Sequence, residues 1–133
     1  MSDTLGSMIA AARSTVPEVP PAEAYDAQQR DEVHLIIDVR EPQEFDDEHV
    51  RKSVNFPRGV LELRADAQAP SADATLAAGK SKRIILYCTK SPGARSLLAA
   101  QTLQNMGYDS VEVLGGGLNA WTEAGLPVER ASS

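Results

Sequence analysis

The sequence predicts an α/β fold, in which a small parallel β-sheet is flanked by α-helices on both faces. Two observations support this prediction. Short, almost continuous apolar runs rich in β-branched residues are typical of strands buried on both faces of a parallel sheet. These runs alternate along the chain with segments whose apolar residues recur at helical spacing, which is the order expected of repeated strand-helix-strand units.

Four segments have the composition of strands. Each segment is apolar and too short for a typical helix. We predict strands at residues 35–39, 54–56, 84–87 and 111–114. The nearly continuous apolar character of residues 35–39 and 84–87 predicts strands that are buried on both faces, as in a parallel sheet.

Four further segments have helical patterns with recognisable ends. Pro42 suits the first turn of one helix, whereas Gly107 and Gly125 suit positions just after the last turn of two others. The predicted helices cover residues 21–29, 42–48, 96–106 and 118–124. The polar and alanine-rich stretch at 65–80 is expected to be a surface connection, with one helical turn near 72–78.

A chain of 133 residues is close to the usual size of one domain, which we place at residues 16–130. Residues 1–15 are expected to form an arm or a short helix, with Met8, Ile9 and Ala12 on one face, and residues 131–133 a tail. Three prolines within 16–21 exclude a regular helix there.

Composition excludes several classes of function. The formal net charge of −6 argues against nucleic acid as a partner, because an acidic chain repels phosphate backbones. The single cysteine allows no intramolecular disulfide and favours a reducing, cytoplasmic location. No apolar run approaches the roughly 20 residues of a membrane span, and we expect no signal peptide, metal site or organic cofactor.

Cys88 lies where the predicted strand 84–87 ends and a loop leads into the next helix, which begins near Ala94. Ligands of open α/β sheets bind at the carboxyl ends of the strands. Unpaired N–H groups at the helix N-terminus, together with Lys90 and Arg95, favour an anionic thiolate. The alternative is that Cys88 is a small buried hydrophobic residue without chemistry.

Four stretches of the chain together resemble the rhodanese family. The first is LIIDVREP at 35–42, followed by EF at 44–45, and the second is EHVRKSVNFPRG at 48–59. The third is YCTKSPGARS at 87–96, and the fourth is LGGGLNAW at 114–121 with GLPV at 125–128. The resemblance covers about residues 16–129, and the order of the four motifs is that of the family.

The resemblance implies a sulfurtransferase of sulfur metabolism. A small anionic donor such as thiosulfate would give its outer sulfur to Cys88, and the persulfide would pass it to cyanide or a thiol. The residues expected to bind the substrate, partly through backbone N–H groups, are Thr89, Lys90, Ser91, Gly93, Ala94, Arg95 and Arg58. Asp38 and Arg40 would support the site, with a structural ion pair or a helix N-cap favoured for Asp38. His49 and Trp121 are expected to be structural.

The chain departs from the family pattern at two places. Cys88 and Arg95 are spaced as C-x6-R, whereas the family's usual loop is C-x4-R and the related phosphatases and arsenate reductases use C-x5-R. Arg51 and Lys52 stand where the family commonly has IPG. Two alternatives therefore stay open, a non-catalytic binding or regulatory module and a cysteine phosphatase or arsenate reductase. The sequence names neither the donor nor the acceptor, and it leaves monomer and homodimer open.

Overall fold

The structure is a computed structural model, and it describes residues 2–91 and 93–131. Pro92 of the predicted active-site loop and residues 132–133 of the predicted tail lie outside the described residues. The first half of the chain contains α1 (Leu5–Thr15), β1 (Glu18–Val19), α2 (Pro21–Gln29), β2 (Leu35–Asp38), α3 (Pro42–Asp47), β3 (His49–Val50) and β4 (Val54–Asn55). The second half contains a 3-10 turn (Arg58–Val60), α4 (Leu61–Ala65), α5 (Ala74–Ala77), β5 (Ile84–Tyr87), α6 (Ala94–Asn105), β6 (Val111–Leu114), α7 (Gly117–Glu123) and β7 (Val128–Glu129).

The main sheet has five parallel strands in the order β1-β6-β5-β2-β4. β5 lies in the middle, where Ile85 pairs with Ile36 of β2 on one side and with Glu112 of β6 on the other. A small antiparallel pair, β3 with β7, lies apart from this sheet. The predicted α/β class with a parallel sheet is therefore confirmed, and all four predicted strands are present within one residue of their predicted ends.

Two hydrophobic clusters lie on opposite faces of the sheet because successive strand residues point to opposite sides. Leu86 of β5 packs with side chains of α1, α4 and α6, whereas Ile85 and Tyr87 pack with side chains of α2 and α7. Trp121 is fully buried in the second cluster, and its indole N–H donates to the carbonyl of Pro127 at 2.8 Å. Burial of one such large apolar side chain stabilises the fold by about 1.5–3 kcal/mol. The predicted packing role of Trp121 is confirmed.

Helix α1 covers Leu5–Thr15 of the predicted arm or short helix, and it packs on α6. Ala12 is buried and Ile9 is partly buried, but Met8 is 41% exposed, so the predicted apolar face is narrower than expected. Gln104 donates to the carbonyl of Thr15 at 2.7 Å and thereby ties the end of α1 to the domain. The division of the chain at residue 16 stays a prediction.

Five elements were not predicted from the sequence. The strands β1, β3 and β7 contain two residues each, so they are too short to show a periodic pattern. The 3-10 turn and α4 continue one another after Pro57, and together they span only eight residues. The helical turn expected near 72–78 is confirmed as α5.

Lys52 adopts a left-handed backbone conformation, with φ of 66°, in the turn between β3 and β4. This conformation costs an L-residue roughly 1–2 kcal/mol, and glycine avoids that cost. We expect Lys52→Gly to raise the free energy of unfolding by about 1 kcal/mol, since the backbone N–H that donates to Glu129 at 2.9 Å is retained. Urea unfolding monitored by circular dichroism would measure the change.

The neighbouring exposed residue provides the matched control. Arg51 has no positive φ, so Arg51→Gly adds chain freedom without relieving strain. It is expected to destabilise the protein by about 0.5–1 kcal/mol. Equal effects of the two glycines would contradict the assignment of strain to residue 52.

Candidate active site

The backbone of Cys88 is held at the carboxyl end of the central strand by its neighbours on both sides. On one side, Val39 donates its N–H to the carbonyl of Tyr87 at 3.1 Å. On the other, the first turn of α7 donates to the loop: Leu118 N–H to the carbonyl of Cys88 and Asn119 N–H to that of Thr89, both at 2.9 Å. Strand and loop are therefore fixed relative to α7 at the point where the sulfur lies.

The Cys88 side chain is buried, with 4% of the residue exposed. Its Sγ lies 3.4 Å from the hydroxyl of Ser96 in the first turn of α6, and that hydroxyl donates to the carbonyl of Gly93 at 3.1 Å. A serine hydroxyl has one proton, so Ser96 can donate either to this carbonyl or to the sulfur. Rotation of the hydroxyl toward Sγ would supply a hydrogen bond to a thiolate.

A small cavity of about 10 Å³ lies beside the sulfur. This volume holds about one water-sized group. Four of the predicted substrate-binding or catalytic residues line it: Cys88, Lys90, Ser91 and Gly93. Other lining residues come from β1, from α6, from β6 and from the turn into the start of α7: Glu18, Ser96, Leu97, Val113, Leu114, Gly116 and Gly117.

The loop after Cys88 offers free backbone donors. Within 2–91 and 93–131, no acceptor takes the N–H groups of Thr89, Lys90 or Ser91. Gly93 has φ of 72° and begins α6, whose first turn carries the N–H groups of Ala94 and Arg95. Main-chain donors at such a turn attract anions, which is the arrangement that the predicted amide cradle requires.

The Arg95 side chain is engaged by Glu44 of α3. Its guanidinium donates to the two carboxylate oxygens at 2.8 and 3.3 Å, and to the Thr89 hydroxyl at 3.3 Å. The hydrogen bonds from Arg95 hold the pKa of Glu44 below its usual value, and Glu44 raises the pKa of Arg95. Arg95 therefore adds positive charge near the loop while its donors are already shared with a carboxylate.

Arg58 lies away from the cavity. Its guanidinium donates to Glu62 and to the hydroxyl of Thr102, each at 2.9 Å, and so connects α4 with α6. It is not among the residues that line the cavity beside Cys88. The geometry gives Arg58 a contact between two helices, and the structure does not bring it together with the other predicted binding residues.

Asp38 and Arg40 form a buried ion pair at the end of β2, with 0% and 5% of their side chains exposed. Arg40 donates to both carboxylate oxygens, the shortest bond being 2.7 Å, and to the carbonyl of Glu48 at 2.6 Å. Burial acts to lower the pKa of Arg40, but the bonds to Asp38 outweigh it and the pKa is raised. The favoured ion-pair interpretation of Asp38 is confirmed.

Both histidines bind backbone carbonyls away from the cavity lining. His49 Nδ1 lies 2.6 Å from the carbonyl of Phe45, and its ring stacks on the Phe45 ring at 3.7 Å. His34 Nε2 lies 2.7 Å from the carbonyl of Thr75. Each histidine therefore has a packing and hydrogen-bonding role, as expected for His49.

Seven residues that line the cavity were not among the predicted site residues, and Glu18 and Gly117 are two of them. Glu18 lies in a two-residue strand between prolines and reaches the cavity only because β1 pairs with β6. Gly117 approaches the loop so closely that a Cβ there would lie 2.5 Å from the carbonyl oxygen of Cys88. The run of three glycines at 115–117 was the one available signal for such an approach.

Residues 20–124 match the rhodanese-like domain family, and the chain belongs to that family. It is 31% identical over 100 residues to thiosulfate sulfurtransferase 16, chloroplastic, of Arabidopsis thaliana, covering 72% of this chain and 80% of that protein. It is 30% identical over 94 residues to a sulfurtransferase of Allochromatium vinosum, covering 71% of this chain and 77% of that protein. Relatives of the protein are therefore sulfurtransferases.

An uncharacterized protein of Synechocystis is 33% identical over 125 residues, which are 94% of this chain but only 63% of the relative. Among solved structures, a Rhodopseudomonas palustris protein of unknown function, described as a possible tyrosine phosphatase, superimposes with a TM-score of 0.86 at 32% identity over 97% of this chain and 96% of that chain. A thiosulfate sulfurtransferase from Pseudomonas aeruginosa gives a TM-score of 0.72 at 27% identity, covering 87% of this chain and 20% of that chain.

Two further features, a metal-binding group and a membrane-spanning helix, do not occur in the part of the chain that the structure describes. Residues 2–91 and 93–131 contain no group of three or more His, Cys, Asp or Glu side chains that could hold a metal ion. Within the same ranges, no helix has both the length and the apolar character needed to cross a bilayer. Among the described residues, Cys88 is a free and buried cysteine.

Proposed function

We propose that the protein is a sulfurtransferase that carries sulfane sulfur as a persulfide on Cys88, with thiosulfate or a similar anion as donor. The observation that carries the proposal is the size of the cavity beside Sγ, about 10 Å³, which suits one additional atom. A persulfide adds one sulfur atom to the cysteine. The N–H groups of Thr89, Lys90 and Ser91, which have no acceptor among the described residues, would hydrogen-bond its negative charge.

The reaction is two successive displacements on sulfur. The Cys88 thiolate attacks the outer sulfur of thiosulfate, the bond between the two donor sulfurs breaks, and sulfite leaves with the electron pair. An acceptor such as cyanide then attacks the outer sulfur of the persulfide, and Cys88 regains its thiolate as thiocyanate leaves.

Lys90 is the cation best placed to attract an anionic donor. It is exposed, it lines the cavity, and no described residue pairs with its ammonium group. Arg95 contributes through its charge, because its donors are shared with Glu44 and Thr89. Arg58 is left out of the proposed mechanism, since its contacts hold it between α4 and α6.

The main alternative function is that of a cysteine phosphatase. Two findings suggest it: the solved structure of the Rhodopseudomonas palustris relative and the C-x6-R spacing. A phosphocysteine adds a phosphorus atom and three oxygens, and those oxygens require several converging donors. The cavity holds about one water-sized group, and Glu44 occupies the Arg95 fork. Both observations favour sulfur over phosphoryl transfer.

Intact mass spectrometry after incubation with thiosulfate tests the proposal. We expect wild-type protein to gain the mass of one sulfur atom and Cys88→Ala to gain none, because Cys88 is the single cysteine of the chain. Cyanide should remove the added mass and release thiocyanate. Hydrolysis of an aryl phosphate that Cys88→Ser abolishes would instead establish the phosphatase. A protein with neither reaction would be a binding or regulatory module.

We propose a cytoplasmic location on the basis of the single unpaired cysteine. The names of relatives include a chloroplastic and a mitochondrial protein of Arabidopsis thaliana, so the family is not confined to one compartment. Fractionation of cells that express a tagged chain would test the location. Recovery of the tag in an organelle or with membranes would contradict it.

A further inference from the structure

Two opposite charges without partners line the Cys88 cavity. Glu18 comes from β1 and Lys90 from the loop after β5. Within 2–91 and 93–131, no hydrogen bond or ion pair engages either side chain, and the two do not pair with each other. The neighbouring charges on Arg95 and Glu44, in contrast, satisfy one another.

The position of Glu18 is set by the sheet and by a glycine. The carbonyl of Val19 accepts the N–H of Gly115 at 2.9 Å, so Glu18 lies beside the chain that leaves β6. Its Oε1 lies 2.8 Å, and its Cγ 3.2 Å, from the point that a Cβ of residue 115 would occupy. The Glu18 side chain therefore lies across Gly115, in space that a Cβ of residue 115 would otherwise occupy.

An anionic donor alone does not account for this arrangement. Lys90 attracts an anion to the cavity, but the Glu18 carboxylate repels the same anion. A cavity wall with one negative and one positive side chain is complementary to a molecule that carries both charges. It favours a zwitterion over an anion or a neutral molecule of the same size.

We propose that Glu18 and Lys90 select, as the sulfur acceptor, a small aminothiol that carries an ammonium group and a carboxylate near its sulfur, as cysteine does. The inference rests on the proposed persulfide chemistry of Cys88. Glu18 receives the ammonium group and Lys90 receives the carboxylate. The thiol is thereby presented to the outer sulfur of the persulfide from the open side of the cavity.

The transfer step balances without a further reactant. The acceptor reacts as its thiolate, after its proton has passed to water. The persulfide anion takes up a proton from water, a bond forms between the acceptor sulfur and the outer persulfide sulfur, and the bond from that sulfur to Cys88 Sγ breaks. The products are the acceptor persulfide and the Cys88 thiolate, so charge and atoms are conserved.

A panel of four thiols tests the inference on protein whose Cys88 has first been loaded with sulfur and verified by mass. Cysteine carries both charges, cysteine methyl ester only the ammonium, N-acetylcysteine only the carboxylate, and 2-mercaptoethanol neither. The second-order rate constant for unloading is measured for each thiol. Each value is divided by that of the wild type with the same thiol, so the intrinsic reactivity of the thiol cancels.

Glu18→Gln is expected to lower the unloading rate constants for cysteine and its methyl ester about fivefold, which corresponds to about 1 kcal/mol for an exposed charge pair. The rate constants for the other two thiols should not change. Lys90→Gln should lower the unloading rate constants for cysteine and N-acetylcysteine by a similar factor. Gly115→Ala should reproduce the pattern of Glu18→Gln, because its Cβ displaces a flexible carboxylate and residue 115 has no positive φ.

Glu23→Gln is the matched control. Glu23 is an exposed carboxylate on α2 that does not line the cavity, so this change removes the same charge and should alter all four rate constants equally or not at all. Equal effects of Glu18→Gln on all four thiols would overturn the inference while loading of Cys88 still supports the proposed function. Failure of Cys88 to load would overturn both.

Discussion

Replacement of Asp38 with alanine is expected to lower the free energy of unfolding by about 3–5 kcal/mol. The change leaves Arg40 buried, with 5% of its side chain exposed, and without its carboxylate partner. It also removes the acceptor of the Arg40 backbone N–H, a bond of 2.9 Å. An uncompensated buried charge is among the few defects that destabilise a domain by this amount. Urea unfolding at neutral pH would measure the loss.

The effect should depend on burial and on the charge that is left behind. Arg130→Ala breaks an exposed ion pair with Glu48 and is expected to cost no more than about 0.5 kcal/mol. The double change Asp38→Leu with Arg40→Met removes both charges together and should recover part of the stability lost in Asp38→Ala. A single Asp38→Ala variant as stable as Arg130→Ala would contradict the structural role of the pair.

The ion pair also connects stability with the site. Asn55 of β4 donates to the carbonyls of Asp38 and Arg40, each at 3.0 Å, and the Arg40 guanidinium lies 5.9 Å from the centre of the Tyr87 ring. Tyr87 is the last residue of β5, and Cys88 follows it directly. Loss of Asp38 should therefore disturb the end of β5 as well as the end of β2.

Gly117→Ala is expected to destabilise the protein by about 3 kcal/mol or more and to abolish sulfur loading. Its Cβ would stand 2.5 Å from the Cys88 carbonyl oxygen and 2.8 Å from the Thr89 carbonyl carbon, so backbone has to move. The residue also has φ of 61°, which adds roughly 1–2 kcal/mol for an L-residue. Because the first turn of α7 donates to these same carbonyls, the displaced atoms are those that hold the cysteine.

Gly125→Ala separates the cost of a positive φ from the cost of contact with the Cys88 loop. Gly125 has φ of 73°, but a Cβ there meets no atom within 4 Å. It is expected to cost about 1 kcal/mol and to leave sulfur loading intact. Thermal unfolding and mass spectrometry after thiosulfate treatment would compare the two variants. Similar losses in both would mean that backbone conformation, and not contact with the Cys88 loop, explains the glycine at 117.

The sequence alone determined the class of fold and the place of Cys88. The strands β2, β5 and β6 and the helix α6 were predictable because each is long enough to show a periodic or continuous apolar pattern. Since Cys88 directly follows the central strand, its position at the carboxyl edge of the sheet followed from the strand assignment. The family resemblance followed in the same way from local motifs in a fixed order.

Only the tertiary structure decided which charges surround that cysteine. Arg95 was predicted to bind substrate, and its guanidinium shares its donors with Glu44, while Arg58 contacts Glu62 and Thr102. Glu18 reaches the cavity through the pairing of a two-residue strand. Apart from the i,i+4 pair of Arg58 with Glu62, these partners are separated by tens of residues, and local patterns carry no information about such distant pairs. The physical reason is that side-chain charges find partners by distance in space, which the packing of strands and helices sets.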